Sequence, residues 1–475
     1  MLFNTLEFGI FFSVVLGIYA LLPSFRWQNY FLLVASYFFY ACWDYRFLSL
    51  IFISTTVDFF VGRLLFETTS QSRRKFILFW SILFNLGFLG FFKYYNFFAY
   101  NLQMVLGDIG LSTSLASLNI ILPVGISFYT FQSMSYTLDI YRGVMQPTRR
   151  FSDFALNVAF FPHMVAGPIQ RANSLLLQIC APRQMTRETF AEGFYLILWG
   201  LFKKMVIADN LVLIVDPIFA QTGHHTATQV FTGMLAFAFQ IYGDFSGYSD
   251  IARGTALMMG FRLMVNFNLP YFALNPQDFW RRWHISLSTW LRDYLYVSLG
   301  GNRRGEGQTY LNLMLTMMLG GLWHGAAWTY VLWGVYHGLL LCLHRLIRTL
   351  FPNEPAFAQS PMGQTVWKVV RIAFMFCLTL YGWLIFRATS LHQLWDMTRA
   401  LFSLNLDSSA VWLILKILLY CLPLLLVQFF QYRKNNLDVV RQGPVPVQVG
   451  FYLACFYLIV LIGGFNAQSF IYFQF

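Results

Sequence analysis

The chain has 475 residues, 58% of them hydrophobic, 20% aromatic and only 11% charged. A soluble domain carries about 25% charged residues, so this balance excludes a soluble enzyme and predicts an all-α polytopic membrane protein. The net charge of +12 must sit in short connections, where basic residues report topology and contact with anionic membrane lipids, not nucleic acid.

Eleven apolar runs are long enough to read as spans: 6–23, 28–43, 47–65, 76–98, 118–137, 188–208, 228–242, 327–347, 367–387, 411–430 and 447–465. Shorter or interrupted pieces lie at 152–167, 251–265 and 310–322, expected to be re-entrant or tilted. The first run lacks the positive n-region of a cleavable signal, which makes it the first spanning helix. Six scattered cysteines with no C-x-x-C suggest neither a zinc site nor a disulfide framework, and read as small apolar side chains. Basic residues alternate along the early connections: none before the first span, Arg26, a near-neutral 44–46, then Arg73-Arg74-Lys75, none in 100–117, and Arg142, Arg149 and Arg150. The positive-inside rule then places the N-terminus outside. Arg345, Arg348, Lys368, Arg371, Arg433, Lys434 and Arg441 fall inside, so the C-terminus also emerges outside.

Four stretches carry polar groups that apolar spans do not need. Residues 160–171, FFPHMVAGPIQR, hold His163 and a helix-breaking Pro168. They are either a broken helix lining a cavity or an interfacial loop. Residues 241–250, IYGDFSGYSD, place Asp244, Ser246 and Asp250 between apolar runs, as a cavity wall, an unwound segment or a polar surface turn. Residues 275–294 read as one amphipathic helix. Asn275 caps it, Pro276 takes the first helical position and Asp278 suits the positive dipole end. Trp280, Trp283, Leu287, Trp290 and Tyr294 form its apolar stripe, as in an anchor at the inner interface. His284 beside the stripe is unexplained by an anchor. The loop that follows, Gly300 to Gly305, is glycine-rich and carries Arg303 and Arg304, a pattern that suits an anion or simply marks an inside loop.

The fourth stretch is 309–347, where two apolar runs meet at GGLWHGAAW. At ~1.5 Å per residue, Tyr310 to His324 spans roughly 21 Å of helix, which puts His324 inside a hydrocarbon core ~30 Å thick. An ionisable ring there is a functional-site hypothesis, set against a histidine hydrogen-bonded between helices. Gly321 and Gly325 form a G-x-x-x-G helix-packing signal. His337 and His344 share one helix face and read as structural. The chain has no G-x-S-x-G, no H-E-x-x-H and no H-x-x-x-x-D. A lone base that deprotonates a hydroxyl for attack on an activated acyl thioester needs none of them. The donor's phosphates would then need cations, and Arg281, Arg282, Arg303 and Arg304 are nearest.

With those residues in view, the chain resembles the membrane-bound O-acyltransferase (MBOAT) family, in its bacterial alginate O-acetyltransferase branch. The matching runs are FFKYYNFF (91–98), LPVGISFYTFQSMSYTLDIYRG (122–143), FFPHMVAGPIQR, DFSGYSDIARG (244–254), the long block 266–305 and GGLWHGAAWTYVLWGVYHG. The resemblance implies one integral-membrane domain over 1–475, with a catalytic core at about 118–350 and peripheral helices at 1–100 and 365–465. It implies a ring of about 11 transmembrane helices around a central tunnel. His324 would be the catalytic histidine and His284 would orient the reacting groups. Trp323, Trp328, Asp244, Ser246 and Asp250 would line the tunnel, the tryptophans alternatively packing between helices. The donor would be acetyl-CoA as a substrate, with no permanently bound cofactor. The acceptor would be an exported polysaccharide, reached through a periplasmic SGNH-type acetyltransferase partner at the bacterial inner membrane. Two other functions stay open: a transferase of the D-alanyl branch that draws on a carrier-protein thioester, and a non-catalytic polysaccharide transport subunit.

Overall fold

A computed structural model describes residues 1–111, 114–115, 117–164, 167–403, 409–465 and 470–471. Among these residues every regular element is a helix. Six helical stretches are long and apolar enough to cross a membrane: Phe25–Glu67, Gln71–Asp108, Trp328–Leu350, Pro361–Arg387, Val411–Lys434 and Val445–Ile462. Their outward side chains are large and apolar: Val34, Phe79, Leu419 and Leu461 are all more than half exposed, a surface that only lipid or another apolar partner satisfies. The protein is a multi-pass membrane protein. Other helices, such as Ile126–Tyr141, are buried along most of their length and so have no need of an apolar outer face.

The chain divides into two compact units, Met1–Phe194 with Ala252–Met264, and Tyr195–Ile251 with Val265–Phe475. In the first, Asp58 is fully buried on the helix Leu48–Glu67. Burial of a carboxylate requires several donors. Asp58 has them in Ser81 Oγ at 2.8 Å, Asn85 Nδ2 at 2.9 Å and Ser133 Oγ. The run expected at 118–137 is helical only from Ile126, because Pro123 lies just upstream and Gly125 takes a left-handed φ of 73°. In the 160–171 stretch the helix Phe151–Ala159 stops and a short turn, Phe161–Met164, follows. Val165 and Ala166 lie outside the described residues. His163 is buried with its ring 2.8 Å from Gln132 Oε1, so this break is internal and not an interfacial loop.

Two expectations are overturned. The runs at 228–242 and 251–265 are not separate pieces: one helix, Ala227–Met258, passes unbroken through the polar stretch 241–250. Its glycines explain this. A Cβ on Gly247 would meet the Gly200 carbonyl at 2.8 Å, and one on Gly243 the Lys203 carbonyl at 2.9 Å. The helix therefore lies backbone to backbone on 195–208, and its polar residues face partners there. Residues 275–294 are not one helix either. Pro276–Trp280 and Ile285–Trp290 are separate, with His284 between them at φ 43°. The turn is pinned from outside: Asn268 N–H donates to the Arg282 carbonyl and Ile285 N–H to the Asn266 carbonyl, both at 2.9 Å. Asn275 caps the first piece through Asp278 N–H at 2.8 Å.

The helices Glu306–His324 and Trp328–Leu350 form the tightest pair in the second unit. A Cβ on Gly321 would sit 2.2 Å from the Tyr330 carbonyl oxygen, and one on Gly334 2.3 Å from the Met317 carbonyl. The pair closes through Gly321 and Gly334, whereas Gly325 ends the helix under the Tyr330 ring. Gly321→Ala is therefore expected to destabilise the protein by about 1–3 kcal/mol, the usual range for overpacking. Gly87→Ala, with nothing within 4 Å, is expected to be neutral. Thermal unfolding of both variants in detergent measures the difference.

Candidate active site

His324 is the last residue of its helix and is 3% exposed. Aromatic rings surround it: Trp333 at 5.0 Å between centroids, Trp323 at 5.1 Å and Phe386 at 5.4 Å, each nearly perpendicular. His284 lies 6.4 Å away. The structure thus brings together two imidazoles that are forty positions apart in sequence. His284 is buried against Phe245 at 4.6 Å, with Nδ1 3.2 Å from Asn266 Oδ1. A left-handed non-glycine residue costs on the order of 1–3 kcal/mol and marks a position held by its surroundings.

A cavity of about 750 Å³ opens in the same unit, within the usual range for ligand pockets. Leu291, Leu313, Met317 and Leu341 make its apolar wall, and Arg281, Arg292, Arg345, Arg348 and His344 its polar side. Trp280 also lines it. The Trp280 ring is 5.6 Å from Trp333, which in turn touches His324. Two ring contacts thus connect the cavity wall to the histidine.

The four arginines singled out from sequence part company. Arg281 is on the cavity wall. Arg282 pairs with Asp278 at 2.8 Å and faces another depression of about 320 Å³, shared with Lys368. Arg303 folds back onto the Val297 and Gly300 carbonyls, and Arg304 packs along Gly300. Arg345 and Arg348, which sequence reading assigned to topology, join the cavity instead. Their spacing with Leu341 and His344 on one helix face was the available signal.

Of the expected lining residues, Trp323 adjoins both histidines, while Trp328 is 53% exposed at the start of its helix. Ser246 is buried. Asp244 and Asp250 are in ion pairs: Lys204 Nζ is 2.7 Å from Asp244 and 2.8 Å from Asp209, and Lys203 Nζ is 2.6 Å from Asp250. Sequence reading missed both lysines. It also missed the end of the chain: Ile471 N–H donates to Asp244 Oδ2 at 2.7 Å, and Phe470 packs on Phe245.

The unit thus holds two buried histidines 6.4 Å apart and, beside the same aromatic cluster, an arginine-lined cavity. Residues 148–387 match the model of MBOAT, the membrane-bound O-acyltransferase family. The chain belongs to that family, in its alginate O-acetyltransferase-like branch, and is a membrane O-acyltransferase. It is 44% identical over 396 residues to the "Probable alginate O-acetylase AlgI" of Azotobacter vinelandii, covering 83% of this chain and 76% of that protein. It is 35% identical over 438 residues to the "Peptidoglycan O-acetyltransferase" of Helicobacter pylori, covering 85% and 80%. It is 27% identical over 290 residues to the "Teichoic acid D-alanyltransferase" of Bacillus subtilis, covering 58% and 71%.

Breaking a buried ion pair by removing one partner costs about 3–5 kcal/mol, since the other charge stays buried. Lys204→Met leaves Asp209 and Asp244 facing each other and is expected to lose at least that much, read as a large fall in detergent melting temperature. Arg292→Ala, whose side chain is 62% exposed beside Asp293, is expected to lose less than about 1 kcal/mol.

Proposed function

We propose that this enzyme takes acetyl groups from cytoplasmic acetyl-CoA and passes them toward an exported, alginate-like polysaccharide. The observation that carries this is the arginine-lined cavity whose wall, Trp280, is one indole from His324. Arg281, Arg292, Arg345 and Arg348 lie together on that cavity, and the positive-inside rule puts such a group on the cytoplasmic side of the inner membrane. The same rule puts both termini in the periplasm. A nucleotide phosphate suits arginine forks, and the apolar wall suits a pantetheine arm.

In this reading His324 removes the proton from an incoming hydroxyl, whose oxygen attacks the thioester carbonyl. The carbon–sulfur bond breaks, and the thiolate takes the proton back from His324 and leaves as CoA thiol. A base must be neutral to begin this cycle. His284 supports the reacting groups. Among the arginines Arg281 ranks first as a phosphate partner; Arg282, Arg303 and Arg304 rank behind it because their side chains are turned elsewhere. The names of the alginate and peptidoglycan relatives support a glycan hydroxyl as the final acceptor; that a periplasmic SGNH-type acetyltransferase holds the acetyl group in between is part of the proposal and rests on the family resemblance alone. The D-alanyltransferase likeness supports the second reading, in which the thioester is delivered on a carrier protein.

Purified enzyme is expected to discharge labelled acetyl-CoA to an acceptor; label transferred only when an acyl carrier protein is supplied would favour the second reading. His324→Ala is expected to keep its detergent elution profile and lose acetyl transfer altogether, and turnover in that variant would remove His324 from the chemistry. Arg281→Glu is expected to raise the KM for acetyl-CoA on the order of tenfold, equivalent to about 1.4 kcal/mol. Arg282→Glu should move it less, as steady-state kinetics would report.

A further inference from the structure

Asn266 is 1% exposed and sits at the centre of the His284 turn. Its Oδ1 receives the backbone N–H of Ser286 at 3.2 Å and the Ser286 hydroxyl at 2.9 Å. Its Nδ2 donates to Ser249 Oγ at 3.3 Å. A backbone N–H only donates, so the atom facing it is the amide oxygen and the side chain has one orientation. His284 Nδ1 lies 3.2 Å from that same oxygen. An oxygen without a proton meets a ring nitrogen only as its acceptor, and the Ser286 hydroxyl, 3.4 Å from Nδ1, already gives its hydrogen to Asn266 Oδ1, so Nδ1 carries the hydrogen. In a neutral imidazole the other nitrogen, Nε2, then holds the lone pair. The rest of the ring looks onto Phe245, Trp323 and His324.

We infer that Asn266 is a positioning residue that holds His284 as the Nδ1–H tautomer, so that His284 meets the reacting groups as a hydrogen-bond acceptor and not as the oxyanion donor. This rests on the reading of the two-histidine chamber as the site of acetyl transfer. The left-handed backbone at His284 serves the same end. The Ile285 N–H to Asn266 carbonyl bond and the Ser286 N–H to Oδ1 bond hold the turn against one residue, and that residue also sets the ring. An acceptor at Nε2 can hold the incoming hydroxyl by its single proton until that proton passes to His324. The developing oxyanion needs donors, which His284 in this form lacks at Nε2.

Two variants and one spectrum test it. Asn266→Leu keeps the volume and removes the acceptor; kcat is expected to fall on the order of 100-fold or more, with the KM for acetyl-CoA within threefold. Where a side chain fixes the tautomer of a catalytic histidine, losing that control costs up to on the order of 10⁴ in kcat. Asn266→Asp keeps an acceptor for Nδ1–H and for Ser286. It is expected to recover at least about a tenth of wild-type kcat and to move the acidic limb of the kcat–pH profile upward, because a carboxylate favours the protonated ring. A merely structural asparagine predicts the reverse order, since the aspartate buries a charge in the turn. Folded Asn266→Leu protein with wild-type kcat, or Asn266→Asp no better than Asn266→Leu, overturns the inference. The tautomer is also read without turnover, from the difference in ¹⁵N-histidine spectra between wild type and His284→Gln at pH 7.5. A protonated Nδ1 supports the inference whatever the donor is, and a protonated Nε2 overturns it. Absence of acetyl-CoA turnover in the wild type together with a protonated Nδ1 would instead count against the proposed donor alone.

Discussion

The helices on either side of residues 325–327 meet backbone to backbone. Gly321 and Gly334 carry no side chain, so the Tyr330 and Met317 carbonyls lie where a methyl group would otherwise be. Membrane helices gain little from apolar burial against one another, and close van der Waals contact between small residues takes its place. This contact fixes His324. Only residues 325–327 join the two helices, so the end of the first is held over the first turns of the second. The Trp333 ring then has to lie against His324. A side chain on the last turn of a helix would ordinarily fray. Here Tyr330 closes over Gly325, and Trp323, Trp333 and Phe386 wall the imidazole on several sides.

What the sequence made legible follows from local rules. Hydropathy exposed the long lipid-facing helices but also read buried helices such as Ile126–Tyr141 as spans; the Asn275-Pro276 cap marked a helix start, and the two histidines stood out as polar groups in apolar surroundings. Their meeting did not follow, because it depends on how 266–290 packs on 306–324. The break at 281–284 was hidden for a related reason. The aromatic stripe keeps its spacing on both sides of the turn, so periodicity reads through it. What breaks the helix is a set of hydrogen bonds from 266–268, well upstream in the chain. Asn266 itself, with Asn268 two residues on, reads as part of a polar connection, and nothing local ties it to His284 eighteen positions later.

The polar stretch 241–250 shows the opposite failure. Two aspartates in an apolar run suggested unwinding, since an unpaired charge in a membrane helix is expensive. Their partners, Lys203 and Lys204, sit inside the run 188–208, which read as a plain span. Glycines on both helices let the segments touch and bring the charges within ion-pair distance, and the backbone remains helical. Sequence carries the charges and the glycines separately; only the fold shows that the glycines make the pairing possible.

The charges of the second unit fall into two kinds. Lys204, Asp209 and Asp244 are buried and paired, so a missing partner leaves an uncompensated charge in a poorly polarisable surround. The arginines of the cavity are different. Arg345 pairs with Glu306, Arg292 with Asp293 and Arg348 with Glu354, and their side chains are 36%, 62% and 55% exposed. Exposed pairs of this sort are worth little, so each arginine can exchange a carboxylate for a phosphate at small cost. Where an anion is to enter and leave at every turnover, weak prior pairing is the favourable design. The groups near His324 obey the contrary demand. They are rings with few charges among them, and their geometry is set by packing and by the hydrogen bonds of Asn266. A phosphate-bearing donor would thus be met by replaceable charge at the cavity and by fixed geometry at the histidines, which places affinity and reactivity on separate residues and lets each change without the other.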